Sequence, residues 1–156
     1  MKILVVCLGN ICRSPLAEGI LQDLADKAGL LWNIDSAGTN GIHTGEAPHR
    51  YSIKVAAENG IDISRQRSRL FIKEDVDRFD LIYAMAADVM DEMKAIAGDA
   101  YDHKKIRLFL EESEAGKNRD VPDPWYGPED GYHEVFTLIR GASEKIIDRY
   151  GITAVQ

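Results

Sequence analysis

The stretch Ile3-Leu4-Val5-Val6-Cys7-Leu8-Gly9-Asn10-Ile11-Cys12-Arg13-Ser14-Pro15-Leu16-Ala17-Glu18 runs an apolar segment into a turn, and the turn into a helix-forming segment. A strand, a tight turn and a helix N-terminus in that order build an anion cradle. Loop N–H groups can converge on a phosphate, and the helix dipole adds positive potential from below. A thiol, Cys7, stands at the base of this cradle. A helix N-terminus and a neighbouring arginine together can lower a thiol pKa to roughly 3.5–7.5, so Cys7 is expected to act as a nucleophile at neutral pH. Arg13 can return over the cradle and grip two phosphate oxygens with its planar fork. Gly9 permits a left-handed turn, Asn10 tolerates one, and Ser14 can cap the helix or donate to the thiolate. The pattern points to phosphate-ester chemistry through a cysteine. Without its context, Cys7 reads as a small buried hydrophobe at a strand end and Arg13 as a solvated charge.

Outward from this stretch the chain alternates strand and helix signals. Residues 2–7 read as a buried strand, and 15–28 as a helix with Leu16, Ile20, Leu21 and Leu24 on one face, closed by Gly29. A strand over 31–36, a glycine-rich loop over 38–48 and a helix over 49–59 stopped by Gly60 are expected next. Residues 73–78 read as a short helix, 80–85 as a strand, 87–97 as a helix ending at Gly98, and 106–109 as a short strand. A polar loop over 111–128 precedes a last helix over 129–149 whose apolar face includes Tyr132, Val135, Phe136, Ile139 and Ile146. Alternating strands and helices imply right-handed crossovers and a parallel sheet whose ligands bind beyond the carboxyl ends of the strands. Cys7 falls at such an end.

Composition narrows the function classes. At 156 residues and 45% hydrophobic, the chain reads as one α/β domain, residues 1–156, with a sizeable core. Lys2 is followed by only a short apolar run that Gly9 and Asn10 interrupt, so no signal peptide is expected, and a soluble, cytoplasmic protein is. A formal net charge of −7 argues against nucleic acid or an anionic membrane as partner. Attraction for a phosphorylated substrate must then be local, from the cradle and Arg13. Two cysteines five positions apart do not make a disulfide framework, and no Cys/His cluster has zinc spacing, so neither a metal nor a cofactor is expected. The histidines, His43, His49, His103 and His133, are scattered and read as mostly surface residues. The run Arg65-Gln66-Arg67-Ser68-Arg69 reads as a solvated edge that could recruit acidic sequence around a substrate.

The loop over 111–128 supplies a second group. Cleaving a phenyl phosphate ester releases a phenolate, which a positioned acid should protonate as the bond breaks. Asp123, between Pro122 and Pro124, sits on a stiffened segment suited to that role, with Asp120 a weaker candidate. Trp125 and Tyr126 follow and could line a slot for a substrate ring.

The opening Val6-Cys7-Leu8-Gly9-Asn10-Ile11-Cys12-Arg13-Ser14-Pro15-Leu16-Ala17-Glu18, the segments Asp35-Ser36-Ala37-Gly38-Thr39 and Gly60-Ile61-Asp62-Ile63-Ser64, and Asp123-Pro124-Trp125-Tyr126-Gly127 stand in this order along the chain. In these segments the chain resembles the low-molecular-weight protein tyrosine phosphatases, over nearly its whole length. The resemblance implies a four-stranded parallel sheet with helices on both faces, a phosphate-binding loop after the first strand, and hydrolysis of phosphotyrosine through a phosphocysteine. It assigns Cys7 as nucleophile, Arg13 as clamp, and Asp123 as general acid and then base. It implies that Leu8 and Ile11 form the apolar mouth, with Gly9 and Cys12 in the loop, that Asn10 holds the strained turn, that Ser14 stabilises the departing thiolate, and that Ser36 supports Asn10. It further implies that Cys12 protects Cys7 by trapping its oxidised form. The implied partner is a phosphotyrosine-containing protein, and the expected assembly a monomer or weak self-association.

The chain departs from the family's pattern at two places: Gln66 stands where bacterial relatives often have a histidine contacting the loop asparagine, and Ala86 follows Met85 where many have aspartate. Rival functions separate on residues. Arsenate reductases of this fold relay a disulfide through downstream cysteines, and there is none after Cys12. Protein-arginine phosphatases of the fold favour a small polar residue where Ile11 stands, so Ile11 argues for an aryl substrate. A phosphocysteine carrier has no need of Asp123. A non-catalytic phosphopeptide-binding module would be expected to lose Cys7 or Asp123, and both are present.

Overall fold

The computed structural model describes residues 1–155, with 126 and 152–155 as backbone only. Strand β1 (Lys2–Cys7) is buried at every position after the first, as befits a central strand covered on both faces. It pairs in parallel with β2 (Asn33–Gly38) on one side and β3 (Leu81–Ala84) on the other, and β3 pairs with β4 (Ile106–Leu108). The order is β2-β1-β3-β4. From β1 the chain moves outward to β2 and then crosses to the opposite side as β3, so the carboxyl end of β1 is the switch point where such sheets bind ligands. Cys7, paired with Gly38, is the last residue of β1.

Alternation along β1 divides the interior in two. Ile3, Val5 and Cys7 join the core with α1 (Arg13–Lys27), α2 (Arg50–Glu58) and α5 (Asp130–Val155), through Leu16, Ile20, Val55, Phe136 and Ile139. Leu4 and Val6 face the other way, onto α3 (Asp75–Arg78) and α4 (Ala87–Ala97), through Val76, Val89 and Met93. Helices thus cover both faces of a four-stranded parallel sheet, as expected.

Several element ends shift by one or two residues from the sequence reading, as where α3 starts at Asp75 rather than residue 73, and three of the differences have a tertiary or backbone reason. Helix α1 starts at Arg13 rather than residue 15, because the left-handed Asn10 (φ 57°) turns the chain early enough for it to enter the helix directly. Pro15 is tolerated there because first-turn N–H groups have no intrahelical partner in any case. Strand β2 runs two residues later than expected, its register set by Lys2↔Asn33 through Cys7↔Gly38. Leu31, expected in the strand, is 94% exposed, while Leu30 and Trp32 turn into the core. Helix α5 continues past residue 149 to Val155. Gly151 does not end it; a Cβ there would stand 3.2 Å from Leu30 Cδ1, so the glycine serves close packing.

Candidate active site

Residues 7–13 wrap around the switch point, and their carbonyls are tied outward one by one. Cys7 O accepts from Thr39 N (3.0 Å), Leu8 O from Asn40 N (3.0 Å) and Ile11 O from His49 N (2.7 Å). Gly9 O accepts from Ser68 Oγ (3.1 Å) and Cys12 O from Ser52 Oγ (3.2 Å). In a planar trans peptide the next N–H points opposite to the carbonyl, so these five bonds turn the N–H groups of Leu8, Gly9, Asn10, Cys12 and Arg13 toward the loop's inner side. None of the N–H groups from Leu8 to Cys12 donates to another described residue. The result is a set of free donors with the α1 N-terminus behind them.

The left-handed residue is Asn10, and Gly9 has another role. A Cβ on Gly9 would come within 3.1 Å of His43 Cδ2, so the glycine lets the loop after β2 close over the cradle. Gly38 works likewise from below, since a Cβ there would meet Leu8 O at 2.8 Å. Asn10 is 2% exposed and fully engaged: Nδ2 donates to Ser14 Oγ (2.8 Å) and Ser36 Oγ (3.0 Å), and Oδ1 accepts from Arg69 N (3.0 Å). The expected support from Ser36 is therefore in place. The contact from position 66 is not. Gln66 Nε2 instead donates to Pro15 O (3.1 Å), and its Oε1 is buried without a partner among the described residues. Ser14 lies inside α1 and caps nothing; its Oγ is 3.0 Å from Cys7 Sγ.

Cys7, 2% exposed, lies at the floor of a cavity of about 190 Å³. Leu8, Gly9, Ile11, Cys12, Arg13, Asp123 and Trp125, all singled out in the sequence, line it, joined by Asn40, Ile42 and His43. Arg13 is 5% exposed; Nη1 donates to Val121 O (3.1 Å) and Nη2 lies 3.6 Å from Asp123 Oδ2. Val121 N in turn donates to Met85 O (2.8 Å), which docks the loop over 111–128 on the end of β3. Asp123 Oδ1 accepts from Trp125 N (3.1 Å), closing the 3-10 turn Pro124–Tyr126 and fixing the carboxyl toward the cavity. The Tyr126 side chain, expected at this slot, lies outside the described residues. Asp120 is not part of the site: its Oδ1 accepts from Ala87 N (2.9 Å), capping α4 where Ala86 has no side chain to do so.

Two histidines read as surface residues are half-buried at the rim. His43 and His49 lie 5.6 and 5.3 Å, centroid to centroid, from the Trp125 ring, and His49 also stacks on Tyr132 at 5.3 Å. His49 Nδ1 accepts from Tyr51 N at the start of α2 (3.1 Å), and burial holds its pKa below the usual imidazole value. Tyr132, placed by the sequence on an apolar helix face, reaches Cys12 Sγ at 3.5 Å. Burial pushes the Cys12 thiol up to about 12 despite that hydrogen bond, which makes Cys12 a neutral wall beside Cys7. The signal for the missed residues was positional, since the loop after β2 must emerge at the same sheet edge as the loop after β1. The run 65–69 is also only partly a solvated edge: Arg69 spans Asp35 Oδ2 (2.9 Å) and the buried Asp75 (3.0 Å).

A cysteine beneath inward-facing amide donors, with an arginine at its side and a carboxyl facing it, is the arrangement of the cysteine-dependent phosphatases. The sheet order and loop position narrow that class further. The profile described as "Low molecular weight phosphotyrosine protein phosphatase" matches residues 2–154, and the chain belongs to this family. A putative low molecular weight protein-tyrosine-phosphatase of Synechocystis is 39% identical over 97% of each chain. The crystal structure of YfkJ from Bacillus subtilis superposes with a TM-score of 0.90 at 36% identity, covering 98% of this chain and 96% of that one. A structure of the YwlE arginine phosphatase is also similar, with a TM-score of 0.87 at 26% identity, covering 97% of this chain and 96% of that one.

Proposed function

We propose that this protein hydrolyses phosphotyrosine and other aryl phosphate monoesters in two displacements through Cys7. The Cys7 thiolate attacks phosphorus while the loop N–H groups and the Arg13 fork hold the non-bridging oxygens. Asp123, as the acid, gives its proton to the departing phenolate, so a neutral phenol leaves and phosphocysteine remains. Asp123, now a carboxylate, takes a proton from a water that attacks phosphorus; inorganic phosphate leaves and the thiolate returns, stabilised by the Ser14 hydroxyl. The observation that carries this reading is the convergence of Cys7, Arg13 and Asp123 on one cavity from β1, α1 and a loop more than a hundred residues away.

Phosphoarginine is the second reading, because an arginine phosphatase shares the fold. The walls here favour an aryl group: Ile11, Ile42, His43 and Trp125 line the cavity, and Ile11 offers no polar partner to a guanidinium. A catalytically silent phosphopeptide module is disfavoured by the retention of both Cys7 and Asp123. The partner is a phosphotyrosine-containing protein, met in the cytoplasm by a monomer or weakly self-associating enzyme of one domain. No described helix is long and apolar enough to cross a membrane. A rate comparison across phosphotyrosine, phosphoserine, phosphoarginine and small aryl phosphates tests the assignment. Aryl esters should dominate kcat/KM, and a preference for phosphoarginine would overturn it.

A further inference from the structure

The hydrogen bonds beneath the nucleophile do not stop at Asn10 and Ser36. Ser36 Oγ lies 2.7 Å from Glu18 Oε1, and Glu18 is a carboxyl on α1 that takes no part in the mechanism above. Counting hydrogens along this line fixes its direction. The Asn10 amide has two N–H hydrogens, one for Ser14 Oγ and one for Ser36 Oγ, and its oxygen is taken by Arg69 N. Ser36 has a single hydroxyl hydrogen and gives it to Glu18, so only lone pairs face Asn10. If that hydrogen pointed at Asn10 instead, the amide would present its oxygen inward. The oxygen would then draw the Ser14 hydrogen away from Cys7.

We propose that Glu18 is a positioning residue for the nucleophile: by accepting the Ser36 hydroxyl it holds the Asn10 amide so that Ser14 points its one hydrogen at Cys7 Sγ. With Cys7 ionised, the sulfur can only accept, and the 3.0 Å contact to Ser14 is its hydroxyl donor. The lock has two ends, Glu18 through Ser36 and the Arg69 peptide through Asn10 Oδ1. Arg69 is itself clamped between Asp35 and Asp75. Gln66, which does not reach Asn10, plays no part. Burial also raises the Glu18 carboxyl to about 7, and either form of the group can accept the Ser36 hydrogen.

The inference rests on Cys7 being the nucleophile, and its test reads the thiol without turnover. Iodoacetamide alkylation of the whole protein is followed against pH, with the adduct localised to Cys7 by fragmentation mass spectrometry. Glu18→Gln keeps an acceptor for Ser36 and should leave the midpoint within about 0.3 pH units of wild type. Glu18→Met keeps the volume and loses the acceptor, and should raise the midpoint by about one unit, with kcat for nitrophenyl phosphate about tenfold lower and KM within about twofold. An unchanged midpoint in Glu18→Met, or an equal rise in Glu18→Gln, overturns the proposal. If Glu18→Met does not fold, Ser36→Ala cuts the same link and must raise the midpoint; a wild-type midpoint there overturns it equally. A wild-type protein with a readily alkylated Cys7 but no phosphatase turnover would instead sink the enzymatic reading and leave the positioning role standing.

Discussion

Arg13 Nη2 lies 3.6 Å from Asp123 Oδ2, and the same guanidinium donates to Val121 O, two residues before that carboxyl. The guanidinium proposed to clamp phosphate therefore also holds in place the loop that bears the proposed acid. Asp123 stands between this cation and the Trp125 N–H, so it is aimed at the cavity before any substrate enters. Such prior placement is what a proton donor needs.

Asp123→Asn should separate leaving groups. Phenol needs a proton in the transition state and nitrophenol much less, so the variant should lose on the order of 10²–10⁴-fold on phenyl phosphate and about tenfold or less on nitrophenyl phosphate. The slope of log kcat/KM against leaving-group pKa measures this. Equal losses across an aryl series would show that Asp123 only holds its loop.

Cys7→Ser should abolish turnover with the fold intact, because a serine hydroxyl is a far weaker acid and nucleophile than a cysteine thiol. Arg13→Lys should cost on the order of 10²–10³-fold in kcat, since a point charge can replace neither the two-pronged grip on phosphate nor the bond to Val121 O together. Steady-state kinetics beside circular dichroism distinguishes these effects from misfolding. Substantial aryl phosphatase activity in Cys7→Ser would refute the mechanism.

Stability should depend on pH through Glu18. Its carboxyl is raised from about 4.5 to about 7 in the folded protein, chiefly by burial, so the native state holds a proton that the unfolded chain releases. That contribution is fully present below pH 4.5 and is lost as pH rises through 7. Glu18→Gln does not titrate and should gain on wild type across that window, by on the order of 2 kcal/mol after allowance for partial exposure. Denaturant midpoints at pH 5 and pH 8 check it; a difference between the proteins that does not change with pH would show that Glu18 keeps an ordinary pKa.

Peroxide should inactivate the enzyme reversibly. Cys7 thiolate would be oxidised to the sulfenic acid, and the Cys12 thiol would condense with it, releasing water and forming a disulfide. Because Cys12 is held near 12 by burial, the second step should be slow at neutral pH and accelerate toward pH 9. Tyr132→Phe, which removes the hydrogen bond that assists Cys12 ionisation, should slow it further. Bound phosphate should protect, and Cys12→Ser should recover poorly with reductant. Mass spectrometry decides: no Cys7–Cys12 crosslink in the wild type, with equal recovery of the variant, would make Cys12 purely structural.

The chemistry was legible in the sequence wherever its parts are close neighbours along the chain. Cys7, Asn10, Arg13 and Ser14 span a single turn between a strand and a helix, and the backbone geometry of such a turn depends on residues within it. One detail stayed open even there: Gly9 permits a left-handed turn and Asn10 tolerates one, and within this turn the structure gives that conformation to Asn10. A flexible residue and a tolerant one are indistinguishable in sequence until neighbours choose between them, and here Ser36 and Arg69 bind the asparagine amide.

What the sequence alone determined, then, is the alternation that demands a parallel sheet and the thiol-arginine turn at the end of its first strand, because both follow from local periodicity and backbone conformation. The tertiary structure decided which distant residues complete the site. Strand order brings the loop bearing Asn40 and His43 over the cradle, hangs Val121 on the end of β3 so that its carbonyl meets Arg13, and sets Ser36 between Asn10 and Glu18. No local pattern encodes those contacts. They arise only when burial of both faces of one sheet fixes which carboxyl ends lie side by side.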